Sequence, residues 1–100
     1  MEVGKLGVNQ VNNGKSDIQL IPNPNKGTFV ITGNIISGDK EVELQITDVV
    51  GQVVYSDAAL ITDGELKKKI YLNSNLANGI YLLHIKSANE NDVISFSINR

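Results

Sequence analysis

One hundred residues set a single domain, long enough to bury about 65% of the surface its unfolded chain exposes. A hydrophobic fraction of 41% excludes a disordered chain, and no apolar run approaches the roughly 18 residues of a membrane-spanning helix. Nine Lys+Arg against eleven Asp+Glu give a net charge of −2, which argues against a nucleic-acid partner, and the absence of cysteine removes disulfides and thiolate chemistry.

Residues 1–16 are rich in Gly, Asn, Gln and Lys and end in Asn12-Asn13-Gly14-Lys15-Ser16, the composition of a flexible linker. The first residues lack the apolar run and small-residue cleavage site of a signal peptide, so the sequence reads as a small cytosolic protein or as an excised fragment with an added Met1. Ile18 and Leu20 mark a first short strand that stops at Pro22-Asn23-Pro24. Two prolines one residue apart remove two backbone donors and hold the segment extended, which suits a sheet edge or crossover. Asn25-Lys26-Gly27 is a turn, and Thr28 to Thr32 is the second strand with Phe29 and Ile31 inward. Gly33 to Asp39 is a loop that carries Ile35 and Ile36, so part of it should pack down.

The hairpin from Val42 to Tyr55 is the best-marked feature. Val42, Leu44 and Ile46 alternate with Glu43, Gln45 and Thr47, the period of a strand with one buried face. The chain reverses at Asp48-Val49-Val50-Gly51. Asp suits the first position of a type I turn because its carboxylate accepts from backbone N–H groups two residues on, and Gly51 suits a left-handed fourth position that leads into a bulge. Val49 and Val50 are poor turn formers, so they either pack on a neighbouring loop or stand exposed for a partner.

Ser56 to Thr62 continues as an irregular edge strand. Asp63-Gly64 is a hairpin signal tolerant of positive φ. Leu66, Ile70 and Leu72 share one parity of the next strand, interrupted by Lys68, which a bulge or an edge position would explain. Gly79 to Lys86 is a long apolar strand, central in its sheet, and Ile94, Phe96 and Ile98 alternate with serines in the last. Leu76-Ala77-Asn78-Gly79-Ile80-Tyr81 resembles a tyrosine corner, in which the Tyr hydroxyl bonds back to upstream backbone. Seven short strands with regular turn signals and no helical periodicity predict an all-β, seven-stranded antiparallel immunoglobulin-like sandwich with Greek-key connections over residues 17–100.

Candidate chemistry is sparse. His84 is the single histidine, on the parity of Ile80, Leu82 and Lys86, with no matching acid or cysteine. Asp39, Asp48, Asp57, Asp63 and Asp92 fall in or beside predicted turns, which turn chemistry explains; a calcium site from two neighbouring loops lacks a compact ligand spacing. Lys67-Lys68-Lys69 splits across two faces of a strand and reads as a solvated edge. Tyr55, Tyr71 and Tyr81 fall on separate strands, which gives little support to a flat sugar-stacking platform. No nucleophile, base and orienting group can be assembled, so the sequence predicts no enzyme, no cofactor and no metal.

Four landmarks in order carry a resemblance: Pro22-Asn23-Pro24, Gly27-Thr28-Phe29, Asp48-x-x-Gly51-x-x-Val54-Tyr55, and Leu76-x-x-Gly79-Ile80-Tyr81-Leu82-Leu83. Over about residues 18–100 the chain resembles the C-terminal sorting domains of the type IX (Por) secretion system. The resemblance implies a seven-stranded sandwich at the end of a larger exported protein of Bacteroidota, carried through the periplasm to the outer membrane and then to the cell surface or medium. It implies recognition by an outer-membrane translocon and cleavage by a sortase-like peptidase, for which residues 1–16 are the fitting place, with no membrane insertion and a monomeric state. On this resemblance Pro22, Asn23, Pro24, Gly27, Phe29, Asp48, Gly51, Tyr55, Gly79 and Tyr81 are family positions, and Val49 and Val50 become candidate partner contacts. The last strand lacks the lysine that often opens it in the family and carries one terminal basic residue, Arg100. The alternative is an immunoglobulin-like accessory or carbohydrate-binding module of a secreted enzyme.

Overall fold

The computed structural model describes residues 17–35, 38–89 and 91–100; the linker expected over residues 1–16, and Ile36, lie outside them. Seven strands follow one another: β1 (Asp17–Ile21), β2 (Thr28–Asn34), β3 (Glu41–Thr47), β4 (Val53–Thr62), β5 (Glu65–Tyr71), β6 (Gly79–Lys86) and β7 (Asn91–Ile98). Among the described residues there is no helix. The hydrogen-bonded order is β1-β2-β5-β4-β3-β6-β7, and every named pairing is antiparallel.

β4 makes this one order into two layers. Glu41 to Thr47 of β3 pair with Val53 to Leu60 of β4, whereas only Ile61 and Thr62 of β4 pair with β5. The strand therefore belongs to the β4-β3-β6-β7 layer for most of its length and bends over to β1-β2-β5 at its end. What the sequence suggests as the hairpin's return strand plus an irregular edge is one continuous ten-residue strand. The β2–β3 and β5–β6 connections cross between layers, so β2 lies beside β5 and β3 beside β6, the Greek-key arrangement of an immunoglobulin-like sandwich.

The alternating apolar positions meet between the layers. Phe29, Ile31, Leu44, Ile46, Leu66, Ile70, Leu83, Ile85 and Phe96 are fully buried, each such side chain contributing about 1.5–3 kcal/mol of burial. The Phe29 and Phe96 rings pack 4.9 Å apart at 50°, one from each layer. Ile35 is buried too, as expected of an apolar residue in a loop that packs down, and its N–H donates to the Gly64 carbonyl at 2.7 Å.

Two readings need correction. β2 runs on through Gly33 to Asn34 instead of ending at Thr32. Gly33 lies between Ile18 of β1 and Leu66 of β5, where an added Cβ would sit 2.1 Å from the Asp17 carbonyl oxygen. The glycine permits a close strand approach rather than breaking the strand. Asp57, expected in or beside a turn, lies in the middle of β4, whereas Asp92 is the second residue of β7, beside the turn that precedes it. Lys68 sits in regular register with Ile31 of β2, without a bulge, at a part of β5 that β4 has already left. Its edge position is thus the surviving explanation.

Candidate recognition site

The family positions fall into three groups by what they touch. Pro22, Asn23 and Pro24 follow β1 and run beside the outer edge of β7; both proline peptide bonds are cis. Proline offers no N–H, so side chains meet the edge instead. The Asn23 Oδ1 accepts from the Ser97 N–H at 3.0 Å and its Nδ2 donates to the Ser95 carbonyl at 3.4 Å. Asn25 then bridges Ile98 in a parallel sense: its N–H donates to the Ser97 carbonyl (3.0 Å), and its carbonyl accepts from Asn99 (2.7 Å). Asn25 is 4% exposed. Its Nδ2 donates to the Pro22 carbonyl (3.1 Å) and its Oδ1 accepts from the Gly27 N–H (2.8 Å), so a buried amide is satisfied at both ends. The sequence marked Asn25 only as a turn residue. Gly27 has φ +104°, and its carbonyl accepts from the Leu72 N–H at 2.7 Å.

The second group is the hairpin tip. The Gly51 N–H donates to the Asp48 carbonyl (3.1 Å), and the Asp48 carboxylate oxygen Oδ1 accepts from the N–H groups of Val50 (3.0 Å) and Gln52 (2.9 Å). Gly51 has φ +94°, and the register slips between Ile46 and Thr47. The expected turn with its bulge is present. Asp48 thereby fixes a tip whose Val49 and Val50 are 72% and 78% exposed, so they stand free and do not pack on a loop. Register extends the patch. Val53 and Leu82 both pair with Thr47, from opposite sides of it, and Ile80 lies two residues from Leu82 on the same outer face. Val53 and Ile80 are exposed and Leu82 half-buried. One end of the β4-β3-β6-β7 face thus carries Val53, Leu82 and Ile80 near Thr47, at the end where the turn bears Val49 and Val50; the Thr47 Oγ1 lies 3.1 Å from His84 Nε2.

The third group is structural. The Tyr81 hydroxyl donates to the Ala77 carbonyl at 2.6 Å, the expected corner, and its ring stacks on Phe96 at 6.0 Å. Gly79 opens β6 with φ +151°. Phe29 is core. The Tyr55 hydroxyl donates to the Asp57 carboxylate (3.0 Å), which also pairs with Lys68 Nζ (3.0 Å), spanning the gap where β4 leaves β5. The Ala58 N–H foremost, then Lys68 and Tyr55, hold the Asp57 carboxyl below its usual range. Partial burial, then the Asp57 carboxylate, pushes the Tyr55 hydroxyl up. Tyr71 is 66% exposed on the other layer's outer face, with Lys69 Nζ 5.4 Å from its ring centre. Among the described residues no three His, Cys, Asp or Glu side chains gather as a metal would require. Asp39 accepts from the Ser87 hydroxyl and from Asn89, tying two loops.

These features define an immunoglobulin-like sandwich that displays an apolar, conformationally fixed tip. The family model of the secretion system C-terminal sorting domain matches residues 19–99, and the chain belongs to that family. The type IX sorting tail marks proteins for export to the cell surface or the medium through the Por system, and the secretion machinery recognises it. No curated protein matches the chain. Among solved structures it is similar to PorZ, a surface component of the type IX secretion system of Porphyromonas gingivalis, at 19% identity and TM-score 0.57, over 83% of this chain and 11% of that one. It is also similar to the alpha-2-macroglobulins of E. coli (15% identity, TM-score 0.65, 96% of this chain) and Salmonella (14%, 0.65, 100%), covering 7% of each. At these identities the likeness is one of fold. The chain spans about a tenth or less of the length of these structures.

Proposed function

We propose that this sandwich is a non-catalytic sorting signal of a larger exported protein, read as a folded surface by the outer-membrane translocon of the type IX system. The reading puts its contact at Val49 and Val50, with Val53 and Ile80 beside them, and puts cleavage by a sortase-like peptidase in the stretch 1–16. The module acts as a monomer. The observation that carries the contact is the tip itself: two valines more than 70% exposed on a turn whose backbone Asp48 holds. Exposed apolar side chains on a fixed frame lose little entropy on docking.

The test is to place residues 17–100 behind a signal peptide and a reporter in a host with this system. Export of the reporter is expected, with loss of export on Val49→Ser/Val50→Ser at an unchanged unfolding midpoint. Periplasmic retention of the wild-type fusion would reject the sorting role, and full export of the double variant would reject the contact. A second reading, a carbohydrate-binding module, draws on the exposed Tyr71 with Lys69 over its ring. Retention on a polysaccharide resin, lost in Tyr71→Ala, would favour it.

A further inference from the structure

Arg100 follows β7 on the surface, yet its guanidinium is directed wholly at main chain. Nε–H donates to the Lys26 carbonyl at 3.0 Å, Nη1 to the carbonyls of Ser74 (3.1 Å) and Leu76, and Nη2 to that of Asn73 at 3.0 Å. These acceptors belong to two connections remote in sequence, the one between β1 and β2 and the one between β5 and β6. The main chain of Arg100 is held as well: its N–H donates to Asn78 Oδ1 (3.0 Å), and its main-chain oxygen accepts from Asn78 Nδ2 (3.4 Å).

The shape of the site matches one chemical group. A guanidinium presents five N–H donors in a rigid plane, and four carbonyls meet it on the edges of all three nitrogens. An ammonium radiates three donors from a single point and cannot reach acceptors spread around such a fork. Among the described residues no carboxylate contacts Arg100, so the site selects by geometry and carbonyl dipoles and not by opposite charge. Gly27 completes it, since a Cβ there would lie 2.5 Å from Nη2. Lys26 and Gly27 adjoin Asn25, which pairs with Ser97 and Asn99, and Gly27 accepts from Leu72. The walls of the site are therefore the segments that hold the end of β7.

We propose that the carbonyls of Lys26, Asn73, Ser74 and Leu76 form a guanidinium-selective binding site, occupied in cis by Arg100. Its occupancy latches the end of β7 and the two connections into one unit. With the site filled, Ser97 and Asn99 stay docked on Asn23 and Asn25; with it empty, that end of β7 opens. The inference stands apart from the export reading.

Amide hydrogen exchange on the full chain tests it. Arg100→Ala is expected to speed exchange at Leu72 and Asn99 by about 10- to 100-fold, while Ile35 and Ile61, whose N–H groups donate to the Gly64 and Lys40 carbonyls at the opposite end of the sandwich, keep their protection. Arg100→Lys, which retains charge and reach, is expected to lose protection at the same two amides. Ethylguanidinium should restore protection to Arg100→Ala, and ethylammonium at equal ionic strength should not; if that variant does not fold, recovery of folding by the two cations is compared instead. Wild-type protection in Arg100→Lys, equal rescue by both cations, or rescue by neither would overturn the proposal.

Discussion

Along the outer edge of β7 the sandwich is covered by Asn23, Asn25 and Arg100, all hydrogen-bonded to main chain, whereas on its other side β4 parts from β5 after two residue pairs and a cluster of Tyr55, Asp57 and Lys68 spans the gap. The two sides meet the same need, since a two-layer sandwich exposes strand edges wherever its layers do not join. The covered side uses amides, carbonyls and one guanidinium in directed bonds to main chain, one of the amides being the buried Asn25. The gapped side uses an exposed ion pair, worth little in water and weaker in salt. Directed main-chain bonds should therefore dominate stability, and the charged cluster should tune it.

The largest effect is expected where β1 is seated. Gly33→Ala would place a methyl 2.1 Å from the Asp17 carbonyl oxygen and 2.7 Å from the Ile18 Cα. Both are backbone atoms that cannot swing aside, so the loss should be about 3 kcal/mol, within the range of overpacking. Denaturant unfolding measures it, and an unchanged midpoint would mean that β1 is not held against β2 as described. Asn25→Ala comes next. It strands the Gly27 N–H and the Pro22 carbonyl on the covered side, a cost of about 2 kcal/mol for buried groups left unpaired. Tyr81→Phe keeps the ring on Phe96 and removes one hydroxyl bond to Ala77, and should lower stability by about 1 kcal/mol.

This order of effects also separates what the sequence could disclose from what it could not. Alternation in β3, β6 and β7 and the turn chemistry of Asp48, Gly51 and Gly64 act over a few residues, so they are readable without a fold. The corner at Tyr81 is likewise local, its acceptor lying four residues away. Arg100 is different, because its partners lie more than twenty residues off and a guanidinium side chain has no periodic signature; Asn25 bonds locally through its side chain, but its main chain pairs with Ser97 and Asn99, more than seventy residues on. Gly33 reads as a loop residue because a glycine that permits close strand approach looks the same as one that bends a chain. The tip valines are conspicuous in the sequence as poor turn formers, but only the register brings Val53, Leu82 and Ile80 together at the end of the face from which the turn projects.

The smallest effect belongs to the gapped side and differs in kind. Asp57 is held below its usual carboxyl range in the fold, chiefly by the Ala58 N–H and then by Lys68 and Tyr55. A group whose folded pKa is depressed contributes stability above its unfolded value, near about 3.9, and loses it as the pH falls through the folded value. Tyr55 is shifted the other way, by partial burial and then by Asp57. It contributes below its unfolded value, near about 10, and loses that contribution as the pH rises through the folded one. The cluster should thus loosen at both extremes, below about pH 4 and above about pH 10, while the amides of the covered side do not titrate. Amide exchange along β4 and at Asn99, followed against pH and at high salt, distinguishes the sides. Protection near Tyr55 is expected to fall at both ends of the range and with added salt, and Asp57→Asn should abolish the acid limb. Equal pH dependence on the two sides would mean that the charged cluster and the amide-covered edge are not distinct supports of the fold.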